Sequence, residues 1–260
     1  TYGQLLPRIF QEEELAVYID QKATMDQHPL VEFLRGLLEL PRYHYRLEDI
    51  LRLLKSELFL PKEYLVETQG DWESALALFR QDVDLTENLA LKNNFQGHWW
   101  LGKNDWPVVE FDFGNQAHLE SGPLTKASNR LRRSFRDGVG SFLKKLPEAK
   151  DGRQAVTWLY QFLVTAGVEK AILAWRDREV AVGKLEQARS HEQTWGSLMT
   201  LMDEYVQIYG EDPFDNELFT EVLATGLENN SYGRVPSTID QIQANYAAIL
   251  FGEHEAYGDK

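Results

Sequence analysis

Residues 97–104, GHWWLGKN, come nearest to a nucleotide-binding pattern in this chain, matching GxxxxGK but ending in Asn104 where Ser or Thr is required. A phosphate loop needs small residues whose backbone N–H groups cradle phosphates, a hydroxyl on Mg²⁺, a strand before it and a helix after it. Here Trp99 and Trp100 crowd the cradle, Asn104 supplies no hydroxyl, and Pro107 blocks the following helix. The match reads as chance. Glu148 and Lys150, with Asp137 upstream, have the acidic–lysine order of Mg²⁺-dependent nucleases. Those ligands belong on a buried strand, whereas these follow Pro147 in a polar linker, so this match also reads as chance.

The six histidines (His28, His44, His98, His118, His191 and His254) are scattered, and no two have the i, i+4 spacing of a helical zinc site. No metal site is expected. There is no GxSxG nucleophile elbow and no cysteine. Disulfides, thiolate nucleophiles and cysteine-ligated zinc or iron–sulfur centres are therefore excluded within these residues. A metal-dependent or acid–base hydrolase finds no site here.

One run stands apart. Residues 126–145, KASNRLRRSFRDGVGSFLKK, carry Lys126, Arg130, Arg132, Arg133, Arg136, Lys144 and Lys145 against the single Asp137, in a chain of net charge −14. A free-standing nucleic-acid binder is usually basic, because phosphate contacts supply most of its affinity. Any DNA contact here must use a local patch. The run reads either as a phosphate-tracking face or as a solvated helix face paired with acidic neighbours, the usual role of a charge run.

These residues need elements to position them. The chain has 260 residues, 43% of them hydrophobic, enough for one large domain or two small ones with a sizeable core. No apolar run of about 18 residues could span a membrane, and no signal peptide is visible. A cytoplasmic setting follows as the default. The longest amphipathic stretch is 186–209, where Trp195, Leu198, Met199, Met202, Tyr205, Val206 and Tyr209 form one stripe before Gly210 and Pro213 stop it. Further helices are expected from Pro29 to Pro41 (after a remnant around 5–14), and over 46–59, 71–80, 82–92, 123–146 (broken near Gly138 and Gly140), 152–166, 169–182 and 215–227. Strand signals lie at 15–20, 108–113 and 237–243, with 93–116 read as a large loop or small β excursion. The expected fold is mainly α, with a few short strands near the ends and around 108–113.

Four pairs or runs carry a family resemblance: YIDQK (18–22) with HPLVEFLR (28–35), YRLEDILRLLKSELF (45–59), LYQFL (159–163) with HEQTW (191–195), and GLE (226–228) with VPSTIDQI (235–242). They are similar to "FxDxK…HPLVEFIR", "WRYEDVFRLLKTEL" and "GLE…PPTLDQV" of the B subunit of the bacterial AddAB/RexAB helicase–exonuclease. The stretches span most of the chain in the expected order; residues 93–116 match least. The chain starts at Thr1 without Met and is expected to be a piece of a longer protein.

The resemblance implies a position between helicase motifs IV and V of a superfamily 1-like subunit. Residues 1–27 would be an edge piece of the second RecA-like domain, 28–233 a helical insertion, and 234–260 the return strand. The phosphate loop would lie upstream and a nuclease domain with an iron–sulfur cluster downstream, so ATP, Mg²⁺ and the cluster would belong to the parent and none to these residues. Residues 237–241, STIDQ, occupy the place where active helicases carry Thr-Ile-His-x-x-Lys-Gly; Asp240 and Gln241 depart from it. That departure agrees with the family's helicase core being inactive and adapted to bind single-stranded DNA and scan for Chi. The implied role is a non-catalytic module: scaffold, contacts to the A subunit of the heterodimer, and part of the single-stranded DNA path, with no membrane partner. The DNA-contact candidates are Lys126, Arg130, Arg132, Arg133, Arg136 and Thr238. The alternative is a stand-alone helical interaction domain, with Trp99, Trp100 and Trp106 as exposed anchors; the area a Trp buries favours placing them in the core.

Overall fold

Apolar residues at steps of three and four dominate the sequence, and the structure is mainly α. The computed structural model describes residues 17–19, 24–106, 110–111, 117–118, 122–228, 230–232 and 242–244. Two compact units separate, Met25–Asn230 and Thr1–Thr24 with Ser231–Lys260. The first described element, β1 (Val17–Ile19), lies in the latter. Within the helical unit, α1 (Pro29–Glu39) starts where His28 Nδ1 accepts the Leu30 N–H at 3.1 Å, with Pro29 at a position whose missing N–H costs nothing. Leu30, Val31, Phe33, Leu34, Leu37 and Leu38 are all buried.

α2 (Leu47–Lys55) is shorter than the helix expected over 46–59. Glu57 adopts φ +62°, and Leu58, Phe59 and Leu60 enter the core as non-helical chain, with the Leu60 N–H donating to Ala166 O at 2.8 Å. α3 (Lys62–Glu67), for which the sequence shows no clear periodicity, delivers Tyr64 to the core. α4 (Trp72–Asn93) is one 22-residue helix where two were expected. Its N-terminus is capped by Asp71 accepting from Ser74 N at 2.9 Å, and it ends at Asn94 in the left-handed region. Asp82 breaks the apolar pattern in sequence, yet it is buried inside this helix with partners of its own.

The segment expected as a loop contains the short α5 (His98–Leu101). Trp100 and Trp106 are buried, in line with the core reading, and Trp99 is half-buried. β2 (Glu110–Phe111) pairs antiparallel with β3 (Ala117–His118), Glu110 opposite His118. α6 (Pro123–Phe135) does not break at its glycines. It widens into a π-helical turn, Arg136–Gly140, and continues as α7 (Ser141–Lys145) and a 3₁₀ turn, Leu146–Glu148. A Cβ at position 138 would stand 3.0 Å from the Phe59 ring, and one at 140 would stand 2.9 Å from Leu101. Both glycines mark close approach rather than a chain break.

α8 (Gly152–Thr165), α9 (Val168–Ala181), α10 (Leu185–Tyr209) and α11 (Asn216–Glu228) complete the helical unit. α10 packs on α8, α9 and α11, and α11 also packs on α1; α4 packs on α2, α3 and α6. The stripe of α10 buries Leu198, Met202 and Tyr205 and half-buries Trp195, Met199, Val206 and Tyr209. Burying each such large side chain contributes about 1.5–3 kcal/mol. Among the described residues, no helix is long and apolar enough to cross a membrane. In the other unit, β4 (Ile242–Ala244) runs parallel to β1, Val17 opposite Ile242. Parallel strands cannot be joined by a hairpin and need a crossover; here the helical unit is that crossover. The expectations at 5–14 and 237–241, including Thr238, lie outside the described residues.

Candidate nucleic-acid interface

α6 turns its arginines toward carboxylates of other segments. Arg130 Nε donates to Asp82 Oδ2 at 2.7 Å and Nη2 to Asp82 Oδ1 at 3.0 Å, while Nη1 donates to Glu67. The guanidinium lies 5.3 Å from the centroid of the Tyr64 ring, and the Tyr64 hydroxyl donates to Asp82 Oδ2 at 2.8 Å. Asp82 is 1% exposed, so three donors compensate a carboxylate removed from water. Burial, and then the Asp82 charge, push the Tyr64 phenol far above its usual range. Hydrogen bonding to Asp82 raises the Arg130 guanidinium, which stays charged.

Arg132 is 0% exposed. It donates to Gly102 O through Nη1 and to Asp105 Oδ1 through Nη2 at 3.1 Å, leaving Nε without a partner. Burial lowers its pKa, and Asp105 offsets part of that. Arg133, at the surface, grips the same Asp105 at 2.9 Å. Arg136 is bonded to Asp137 at 2.6 Å and reaches the carbonyls of Gly102 and Lys103. Its hydrogen bond also holds the Asp137 carboxyl below the usual range. Lys126, Lys144 and Lys145 are exposed, with Lys145 Nζ 4.0 Å over the Trp158 ring. Half-buried Arg130 and buried Arg132 thus spend donors on acidic residues of other segments, as in the second of the two readings of the run, while Lys126 and Arg133 stay exposed.

Residues 97–104 do not fit a nucleotide either. Trp100 is buried, and the Gly102 carbonyl is occupied by Arg132. The chain holds no cysteine for a cluster, and among the described residues no group of three or more His, Asp or Glu is placed to hold a metal ion.

Two features have no counterpart in the local sequence pattern. His28 and His191, 163 positions apart, meet with Nε2 and Nδ1 at 2.9 Å. Because His28 Nδ1 accepts from Leu30, its proton sits on Nε2 and is donated to His191. Burial, then His191, lowers His28 to about 4; burial also lowers His191, against the opposing charge of Glu179. The only local signal was His28 standing before Pro29 at a helix start. The second feature is an open cleft of about 580 Å³ between α2 and the end of α4, lined by both charge signs.

No protein-family model matches the chain. Curated relatives do. The chain is 40% identical over 245 residues to the B subunit of the ATP-dependent helicase/deoxyribonuclease of Enterococcus faecalis, covering 93% of this chain and 20% of that protein. It is 36% identical over 257 residues to the B subunit of the Latilactobacillus sakei enzyme and 35% over 251 residues to that of Pediococcus pentosaceus, each over 96% of this chain. By sequence, these helicase/deoxyribonuclease B subunits are homologues of the chain. It spans about one fifth of the length of these relatives. The stretches that resemble this family fall largely on packed helices: 28–35 opens α1, 45–59 contains α2, 159–163 lies in α8 and 191–195 in α10. His28 and His191 come from two of them, so the hydrogen bond between them ties α1 to α10.

Proposed function

We propose that this segment is a non-catalytic, helicase-like module of the B subunit, acting in DNA double-strand-break repair as a scaffold. Residues 28–233 are the helical insertion, and 1–27 and 234–260 are edge pieces of a RecA-like domain. The parallel β1–β4 pair, with its helical crossover, supports that arrangement. The module contacts the A subunit and contributes part of the single-stranded DNA path. ATP, Mg²⁺ and the iron–sulfur cluster act elsewhere in the parent.

The observation that carries the scaffold role is the internal use of the arginine run. Arg130 and Arg132 direct their donors to Asp82, Glu67, Asp105 and Gly102 O, holding α6 against α4, α3 and the segment after α5. Lys126 and Arg133 keep exposed surface for DNA, and Thr238 remains a proposed contact on the resemblance alone.

The test uses the 260-residue chain, pure, with the A subunit from Enterococcus faecalis. The expected result is a stable complex on size-exclusion chromatography, with neither ATP hydrolysis nor Mg²⁺-dependent DNA cleavage by the chain alone. Cleavage that co-purifies with the chain and is abolished by a substitution within it would overturn the proposal.

A further inference from the structure

The loop from Pro41 to Arg46, sequence PRYHYR, interleaves cations and aromatics, and the fold displays them. Arg42, Tyr43, His44 and Arg46 are all exposed. His44 and Tyr45 both adopt φ +54°, a conformation that non-glycine residues adopt only where the surroundings impose it. The backbone is held on several sides: the Tyr43 N–H donates to Glu39 O, the Tyr45 N–H to Leu40 O at 3.0 Å, and the Gly97 N–H to Tyr45 O at 2.9 Å. The result is a fixed turn that leaves the Tyr43 residue 39% exposed, with the Arg46 guanidinium 4.6 Å from the ring centroid.

This turn stands at the head of α2, which walls the 580 Å³ cleft. The α2 wall supplies Arg46, Arg52 and Lys55; the facing wall supplies the exposed Leu91, Asn94 and Gln96. Glu48 and Glu87 also line it. Lys55 pairs with Glu87 at 2.7 Å at the surface, and Arg52, 66% exposed, stands 3.8 Å from the buried Asp49, which Arg46 Nε holds at 2.7 Å. The exposed Lys55 pair is weak and salt-screened, and Asp49 keeps Arg46 when Arg52 leaves, so a phosphate can take either cation over. Arg130 differs, because it supplies two of the three donors that hold the buried Asp82. Cations along a groove beside an exposed aromatic, with amides within the same groove, are the components of single-strand recognition.

We infer that the Tyr43 turn and the α2–α4 cleft form a contact site for single-stranded nucleic acid. A base stacks on the Tyr43 face that Arg46 leaves open. Arg52 and Lys55 take phosphates, and Asn94 and Gln96 face base edges. This rests on the proposed DNA-path reading and adds to that path a site away from Arg130 and Arg132.

The test is fluorescence anisotropy of labelled oligothymidylate with the 260-residue chain at low and moderate salt. The comparison is among the wild type, the double variant Tyr43→Ala/Arg52→Ala and the control Arg178→Ala, an exposed arginine of α9, each checked for an unchanged thermal melt. The expected result is salt-sensitive binding, weakened at least about tenfold in the double variant, the loss of roughly one stacked base, and changed less than about twofold in the control. A 5-iodouracil oligonucleotide should photo-crosslink to the peptide carrying Tyr43. Equal affinity in the double variant overturns the inference while leaving the DNA-path proposal standing. Absence of binding by the wild type overturns both, and the scaffold role then rests on the A-subunit complex alone. Protection of the cleft from hydrogen exchange by the A subunit, without DNA binding, overturns the inference and reassigns the cleft as a protein interface.

Discussion

Arg130 and Lys55 each hold a carboxylate at 2.7 Å, Asp82 and Glu87. What surrounds the two pairs differs. The Asp82 side chain is 2% exposed and is shared with Tyr64, with that of Arg130 27% exposed; Lys55 and Glu87 are 47% and 28% exposed at the edge of an open cleft. A carboxylate removed from water has lost its hydration, and only its partners offset that loss. An exposed pair exchanges with water and ions at little cost. Similar pairings therefore brace the fold at α6 and leave cations available at α2. The density of arginines along a sequence does not by itself locate a phosphate site; what a carboxylate would lose if its cation left bears on it as well.

The largest expected effect strikes the buried pair. Arg130→Ala strands Asp82 and should cost about 3–5 kcal/mol in urea unfolding, where a DNA-contact arginine would lower affinity and leave stability alone. Next comes the part-buried His28–His191 hydrogen bond. Folded His28 titrates near 4 against an ordinary 6.5, so between those values the unfolded chain takes up a proton that the folded chain refuses. Its contribution is complete above about pH 6.5 and falls by roughly 3 kcal/mol as the pH drops to about 4. His191 adds in the same direction. His28→Asn keeps a helix cap and should flatten that part of the pH dependence of the unfolding midpoint. Smaller again, Arg132→Ala should lose about 2 kcal/mol through the cavity it leaves. Arg132→Met, which fills the space without a buried charge, should match or exceed the wild type in the same assay. Smallest of all, Lys55→Ala and Arg133→Ala should stay within about 0.5 kcal/mol. A loss at Lys55 as large as that at Arg130 would dissolve the contrast.

Much of the fold was legible because it follows from local spacing. His28-Pro29 and the stripe to Leu38 define α1, and the stripe from Trp195 to Tyr209 lies in α10. What failed depended on distant partners. Asp82 was read as the start of a second helix because Tyr64, 18 residues away, and Arg130, 48 residues away, are invisible to a local window. Leu58 fitted the face of α2, yet a left-handed Glu57 releases it into the core as non-helical chain. The basic run was plain in the sequence, but its fate was not, since Glu67, Asp82 and Asp105 reach it only through the fold. His28 and His191 could not be paired from spacing for the same reason. The PRYHYR turn was visible as letters; its two consecutive left-handed residues and the cleft beside it were not.

The most direct test of the bracing role of α6 is a double-mutant cycle between Arg130 and Asp82, read by urea unfolding of the wild type, Arg130→Ala, Asp82→Ala and the double variant. The two side chains share two hydrogen bonds in a buried cluster, so the predicted coupling is about 2 kcal/mol or more. A coupling near zero, together with a loss of single-stranded DNA affinity in Arg130→Ala, would contradict it and return the arginines of α6 to the DNA path.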